Sequence, residues 1–213
     1  MIGIDDLQAG DVILTTPRRY KWWDIPGRLL TFLIRRYNKK LIPKDPHSLP
    51  IAHAMTHAIL VVGRFGSKPP LIFQTTFSLL RPSARFDVLD EAGFEELVKR
   101  NSVAIMRNRS FPKLLIKDGT VALGLLYNAV PFDGYIYDIG QLVDLEISQK
   151  RRARKIFDFS DKALVCSALV RAVLEKTLGR NVLRDNSLDI DTTPPAAFCP
   201  ANGWGYEHVF IGL

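Results

Sequence analysis

Cys166, His57 and Gln74 are residue types that together can carry out acyl transfer. A cysteine attacks a carbonyl as its thiolate, which needs a base close enough to take the proton and a third group that holds the base's ring. Cys166 stands in KALVCSALVRAVLEK, where an apolar extended run hands over to a helix at about the cysteine, or where a helix has already begun near Ser160 or Asp161. In the first case, unpaired amides and the positive end of the helix dipole would stabilise both the thiolate and the oxyanion of a tetrahedral intermediate. His57 opens the apolar run HAILVV and is the candidate base. Gln74, in LIFQTT, falls on the expected neighbouring strand, where its amide oxygen can accept the second ring N–H and orient the imidazole without adding charge.

Each residue also has a plainer reading. Cys166 fits a core thiol on an amphipathic helix, His57 a surface residue at a strand end, and Gln74 a solvent-facing strand position. His208 in YEHVF is a rival base, and Cys199 in FCPANGWG reads as a structural thiol. His53 lies four residues before His57, the spacing of a metal pair on a helix, but no third or fourth ligand follows at useful spacing. No metal and no cofactor is expected. Phosphate-cradling runs of the type GxGxxG or GxxxxGKS/T are absent, so nucleotide chemistry is not expected either.

The elements that must position these groups alternate in texture. Gly10-Asp11 is a turn into the strand-like Val12-Ile13-Leu14-Thr15-Thr16. Trp22 to Tyr37 spaces Ile25, Leu29, Phe32, Leu33 and Arg36 as an amphipathic helix, and 38–50, with three prolines, reads as a loop. His57 to Val62 predicts a buried strand, with Leu71 to Thr76 as its hairpin partner. Residues 90–100 predict a helix, Ser102 to Arg107 a strand, and Asp118 to Asn128 and Asp161 to Leu178 two further helices, the last capped at Gly179. Asp191 to Gly205 should be an ordered loop before an edge strand from His208 to Ile211. No repeat or long linker divides the 213 residues, which predicts one α+β domain over 1–213 with a helical and loop insertion at 20–50.

The balance of 47% apolar and 24% charged residues is that of a globular chain, and no stretch reaches the ~18 uninterrupted apolar residues of a spanning helix. A soluble protein with free thiols is expected. Twenty-nine Lys and Arg against twenty-two Asp and Glu give a formal +7, which favours anionic partners such as nucleic acid, lipid or wall polymer. The basic runs Lys39-Lys40 and Lys150 to Lys155 accompany no nucleic-acid module, so nucleic acid is not the expected partner. Trp22 and Trp23 beside the basic helix suit peripheral contact with an anionic membrane. MIGIDDLQAGDVI lacks the features of a secretory signal, so synthesis in the cytoplasm is expected, with any delivery to a wall by lysis, a phage particle or a secretion system.

Taken in order, LQAGDVILT, THAILVVG, FDGYIYDIGQLV, LVCSALV and DIDTTPPAAF resemble the circularly permuted branch of the NlpC-type papain-fold cysteine hydrolases, over most of the chain. The resemblance implies a papain-like antiparallel sheet packed against helices, with the histidine strand ahead of the cysteine helix. It also implies Cys166 as nucleophile, His57 as base and Gln74 as orienter, with Tyr135, Tyr137, Asp138 and Ser167 on the substrate side. The branch usually carries Glu at the positions of Gln74 and Ala168, where this chain departs from it. The implied activity is hydrolysis of an amide bond, in peptidoglycan peptides first. A lipid acyl hydrolase or acyltransferase, or a non-catalytic module of the same fold, are the alternatives.

Overall fold

The β-branched and aliphatic runs of this chain form the centre of one six-stranded antiparallel sheet, because the central strands alternate side chains between two faces that are both covered. The computed structural model describes residues 3–18, 25–41, 54–75, 83–117, 119–135, 166–183, 190, 193–200 and 206–212. Its strands are β1 (Val12–Pro17), β2 (His57–Gly63), β3 (Leu71–Thr75), β4 (Ala84–Val88), β5 (Asn101–Asn108) and β6 (Tyr206–Gly212), in the order β4-β3-β2-β1-β5-β6. β1 is central, pairing Leu14 with Ala58 of β2 on one side and with Ala104 of β5 on the other. β6 closes one edge against β5, as the sequence predicts.

One face of the sheet carries Val12, Leu14, Ala58, Leu60 and Phe73 against the helices α4 (Thr120–Ala129) and α5 (Cys166–Leu178). The other carries Ile13, Ile59, Val61, Ile72 and Ile105, with Phe94 and Leu97 of α2 (Glu91–Arg100) over them. A fully covered aliphatic side chain contributes about 1.5–3 kcal/mol, so these two layers fix the register of every strand. α2 is started by Asp90, whose Oδ1 accepts from the Gly93 amide at 2.7 Å, and Gly179 ends α5 in the left-handed region at φ +64°. The Gly10-Asp11 pair is structural. Gly10 has φ +88°, a Cβ there would stand 2.5 Å from the Phe111 ring, and Asp11 accepts from the Arg107 guanidinium at 2.8 and 2.9 Å.

Three elements differ from expectation. α1 (Ile25–Leu41) runs four residues past Tyr37 into the predicted loop, where the buried Asn38 donates Nδ2 to the Met55 carbonyl at 2.6 Å and ties that turn to the segment leading into β2. β4 has no counterpart in the sequence prediction, since ARFDV alternates one aromatic with two charged residues. The short α3 (Lys113–Lys117) was likewise unannounced by any long periodic run. α1 buries Ile34, Tyr37 and Asn38 while Leu29 and Phe32 stay 59% and 57% exposed among the exposed Arg28, Arg36 and Lys39. Among the described residues no helix is long and apolar enough to cross a membrane. Trp22, Trp23, His53, Asp161 to Val165 and the basic run Lys150 to Lys155 lie outside the described residues.

Candidate active site

His57 is the first residue of β2, and Gln74 lies near the end of β3. Their register places Gln74 opposite Ile59, so His57 and Gln74 share a face as a diagonal cross-strand pair, within reach of long side chains. His57 Nε2 and Gln74 Oε1 are 3.3 Å apart. The same diagonal continues to β4, where Gln74 stands opposite Arg85 and Asp87 is two residues on. Gln74 Nε2 donates to Asp87 Oδ2 at 2.9 Å, and Arg85 Nε donates to that same oxygen at 2.8 Å.

The thiol comes from the helical layer. Cys166 is the first residue of α5 as described, and the helix packs against β2 and β3. Its sulfur meets the His57 ring at the margin of the sheet, where β2 begins, and takes the backbone N–H groups of Ala58 and Ser167. Burial by itself pushes the Cys166 thiol up. It is nonetheless held below the ordinary thiol value, because the charge and hydrogen bond of His57 and the two amides together outweigh burial. Burial pushes the imidazole down in turn, yet His57 is raised by the negative sulfur, its hydrogen bond to Cys166 and its bond to Gln74. The two shifts favour a thiolate–imidazolium pair. Cys166 is 1% exposed and His57 is half-buried.

The cysteine helix is held in place by a buried polar network. Ser167 Oγ donates to the Thr193 carbonyl at 2.6 Å, Arg171 Nη1 donates to Thr193 Oγ1 at 3.0 Å, and Arg171 Nε donates to Glu175 Oε1 at 2.8 Å. The Thr193-Pro194-Pro195 segment thereby docks onto the turn that carries the thiol. The Ser167 hydroxyl is committed to this bond, so it is the residue's amide that faces the sulfur.

Tyr135 is half-buried, its ring edge-on to Phe132 with centroids 5.2 Å apart. Its carbonyl accepts from Ala84, which pairs with Thr75 beside Gln74, so Tyr135 sits at the same end of the sheet as His57. Tyr137 and Asp138 lie outside the described residues. His208 is on β6, three strand spacings from β2, which is roughly 14 Å and too far to serve Cys166. A cavity of about 440 Å³ lined by Leu7, Ala9, Arg64, Ile116 and Ala122 lies at the opposite end of β2 from His57. No group of three or more His, Cys, Asp or Glu that could hold a metal occurs among the described residues. Asp87, Arg85, Thr193 and Arg171 were not singled out from the sequence. The alternation of Arg85 and Asp87 on a short strand is the only local signal for the first two.

Comparison with protein-family models, with curated proteins and with solved structures finds no match for this chain.

Proposed function

We propose that the chain is a cysteine hydrolase of amide bonds on a permuted papain-like fold, with peptidoglycan stem peptides as its substrate. One observation carries the reading: a buried thiol hydrogen-bonded to an imidazole whose other nitrogen meets an amide oxygen at 3.3 Å. Core thiols have no such partner. The order of motifs along the chain supports the fold, and the net charge of +7 supports an anionic polymer as substrate.

The Cys166 thiolate attacks the carbonyl carbon, and backbone N–H groups at the start of α5 stabilise the resulting oxyanion. The imidazolium of His57 gives its proton to the leaving nitrogen, the C–N bond breaks, and a thioester remains. His57 then takes a proton from water, whose oxygen attacks the thioester, breaking the C–S bond and restoring the thiolate. Activity falls on the acid side as Cys166 is protonated and on the alkaline side as His57 loses its proton, with the working window between the lowered and the raised value. Incubation of the purified protein with peptidoglycan should release new amine ends, and Cys166→Ala should abolish the release. Equal release from that variant overturns the assignment.

A second reading, acyl-lipid cleavage at an anionic membrane, is favoured by the outer face of α1. Leu29 and Phe32 there are exposed among three basic residues, on a helix whose Arg35 and Asn38 hold the Ala54 and Met55 carbonyls just ahead of His57. Co-sedimentation with phosphatidylglycerol vesicles should fall in a Leu29→Ser, Phe32→Ser double variant; unchanged binding removes the reading.

A further inference from the structure

We infer that Asp87 is a positioning residue for His57, acting through the Gln74 amide; the inference rests on the cysteine-hydrolase reading. A glutamine amide has a donor end and an acceptor end, and either end can meet an imidazole. The two arrangements are not equivalent for the chemistry. With Oε1 toward the ring, the facing nitrogen carries its hydrogen in both the neutral and the cationic form, and the imidazolium is satisfied there. With the NH₂ toward the ring, that nitrogen must be an acceptor, and the cation is opposed.

Asp87 decides between them. Its carboxylate only accepts, and Oδ2 stands 2.9 Å from Gln74 Nε2, so the donor end of the amide is turned to β4. Oε1 is then the end at 3.3 Å from His57 Nε2, so Nε2 carries the hydrogen and Nδ1 is left for Cys166. Arg85 fixes the carboxylate through Nε at 2.8 Å, on the same oxygen. This ion pair also offsets the charge of Asp87, so its effect on the ring is through the amide's direction more than through its field. The register makes the chain of contacts possible, because His57, Gln74 and Asp87 fall on one diagonal across three adjacent antiparallel strands.

The pH dependence of Cys166 alkylation by iodoacetamide, read by peptide mass mapping, tests this without a substrate. Asp87→Ala and the similarly sized Asp87→Leu, neither of which can accept from Gln74, should both raise the midpoint toward that of Gln74→Ala. Alkylation at neutral pH should slow about tenfold, the lower end of the loss when an outer partner of an oriented histidine is removed. The double change Gln74→Glu, Asp87→Leu gives the ring a carboxylate that has no donor end to turn toward it, and should bring the midpoint back to the wild type's or below it. If both Asp87 variants melt like the wild type and keep its midpoint while Gln74→Ala does not, Asp87 has no positioning role and the hydrolase reading stands. If wild-type Cys166 itself titrates as an ordinary thiol and peptidoglycan is left uncut, the hydrolase reading fails and the inference falls with it.

Discussion

Cys166 and Cys199 are both free, both 1% exposed and both members of the same apolar cluster, yet their acidities move in opposite directions. Cys199 follows the single 3-10 turn Pro195–Phe198, and burial alone pushes its thiol up to about 12. Cys166 undergoes the same desolvation and still ends below the ordinary value, because an imidazole and two backbone N–H groups face its sulfur. Burial therefore says nothing about whether a thiol in this core is reactive. What distinguishes the two is the polar company at the margin of the sheet.

The largest consequence is selectivity toward an electrophile. Cys166 is held below the ordinary thiol value while Cys199 is pushed up from it to about 12, a gap of at least about three units, so the thiolate populations differ by at least about 10³ at neutral pH. The more basic thiolate is the better nucleophile, which returns roughly 15-fold to 30-fold to Cys199. Native protein should thus be alkylated at Cys166 at least about 30-fold faster, as followed by peptide mapping over time. Because the two sulfurs are equally covered, unequal access does not supply this ratio. Comparable rates at the two sites would erase the contrast.

The local half of this contrast was readable beforehand and the long-range half was not. HAILVV and LIFQT have the length and β-branched content of paired strands, and their pairing brings His57 to Gln74 without further information. The helical spacing after Cys166 is equally plain, although the sequence left open where the helix begins. Asp87 was invisible because its role depends on the register of β4, a strand in which two of five residues are charged and whose partner is set by packing of Phe86 on Phe73, centroids 4.6 Å apart. Thr193 stands in the DIDTTPPAAF motif and in a Pro-rich stretch, and neither tells which groups it meets. That it accepts from Ser167 and Arg171, 26 and 22 residues away, follows from how the loop returns to α5. His208 shows the converse: a histidine on a strand looks like a base until topology puts it on the far edge.

A smaller effect sharpens the comparison by taking one partner from Cys166 at a time. His57→Ala removes the positive charge and the ring hydrogen bond but leaves the Ala58 and Ser167 amides. Burial, the largest single influence on this thiol, then acts against the amides alone, so the alkylation midpoint should move upward from below the ordinary value. Once the thiol's value stands above the assay pH, each further unit of rise lowers the thiolate population tenfold and the gain in nucleophilicity returns about threefold, so two such units slow the rate by about tenfold. Cys199, with no contact to His57, should react as before and serves as the internal reference. The rate left to Cys166 over Cys199 in this variant measures what the two amides contribute by themselves. A midpoint that stays at its wild-type position would assign the whole shift to the Ala58 and Ser167 amides and leave His57 without a role in generating the nucleophile.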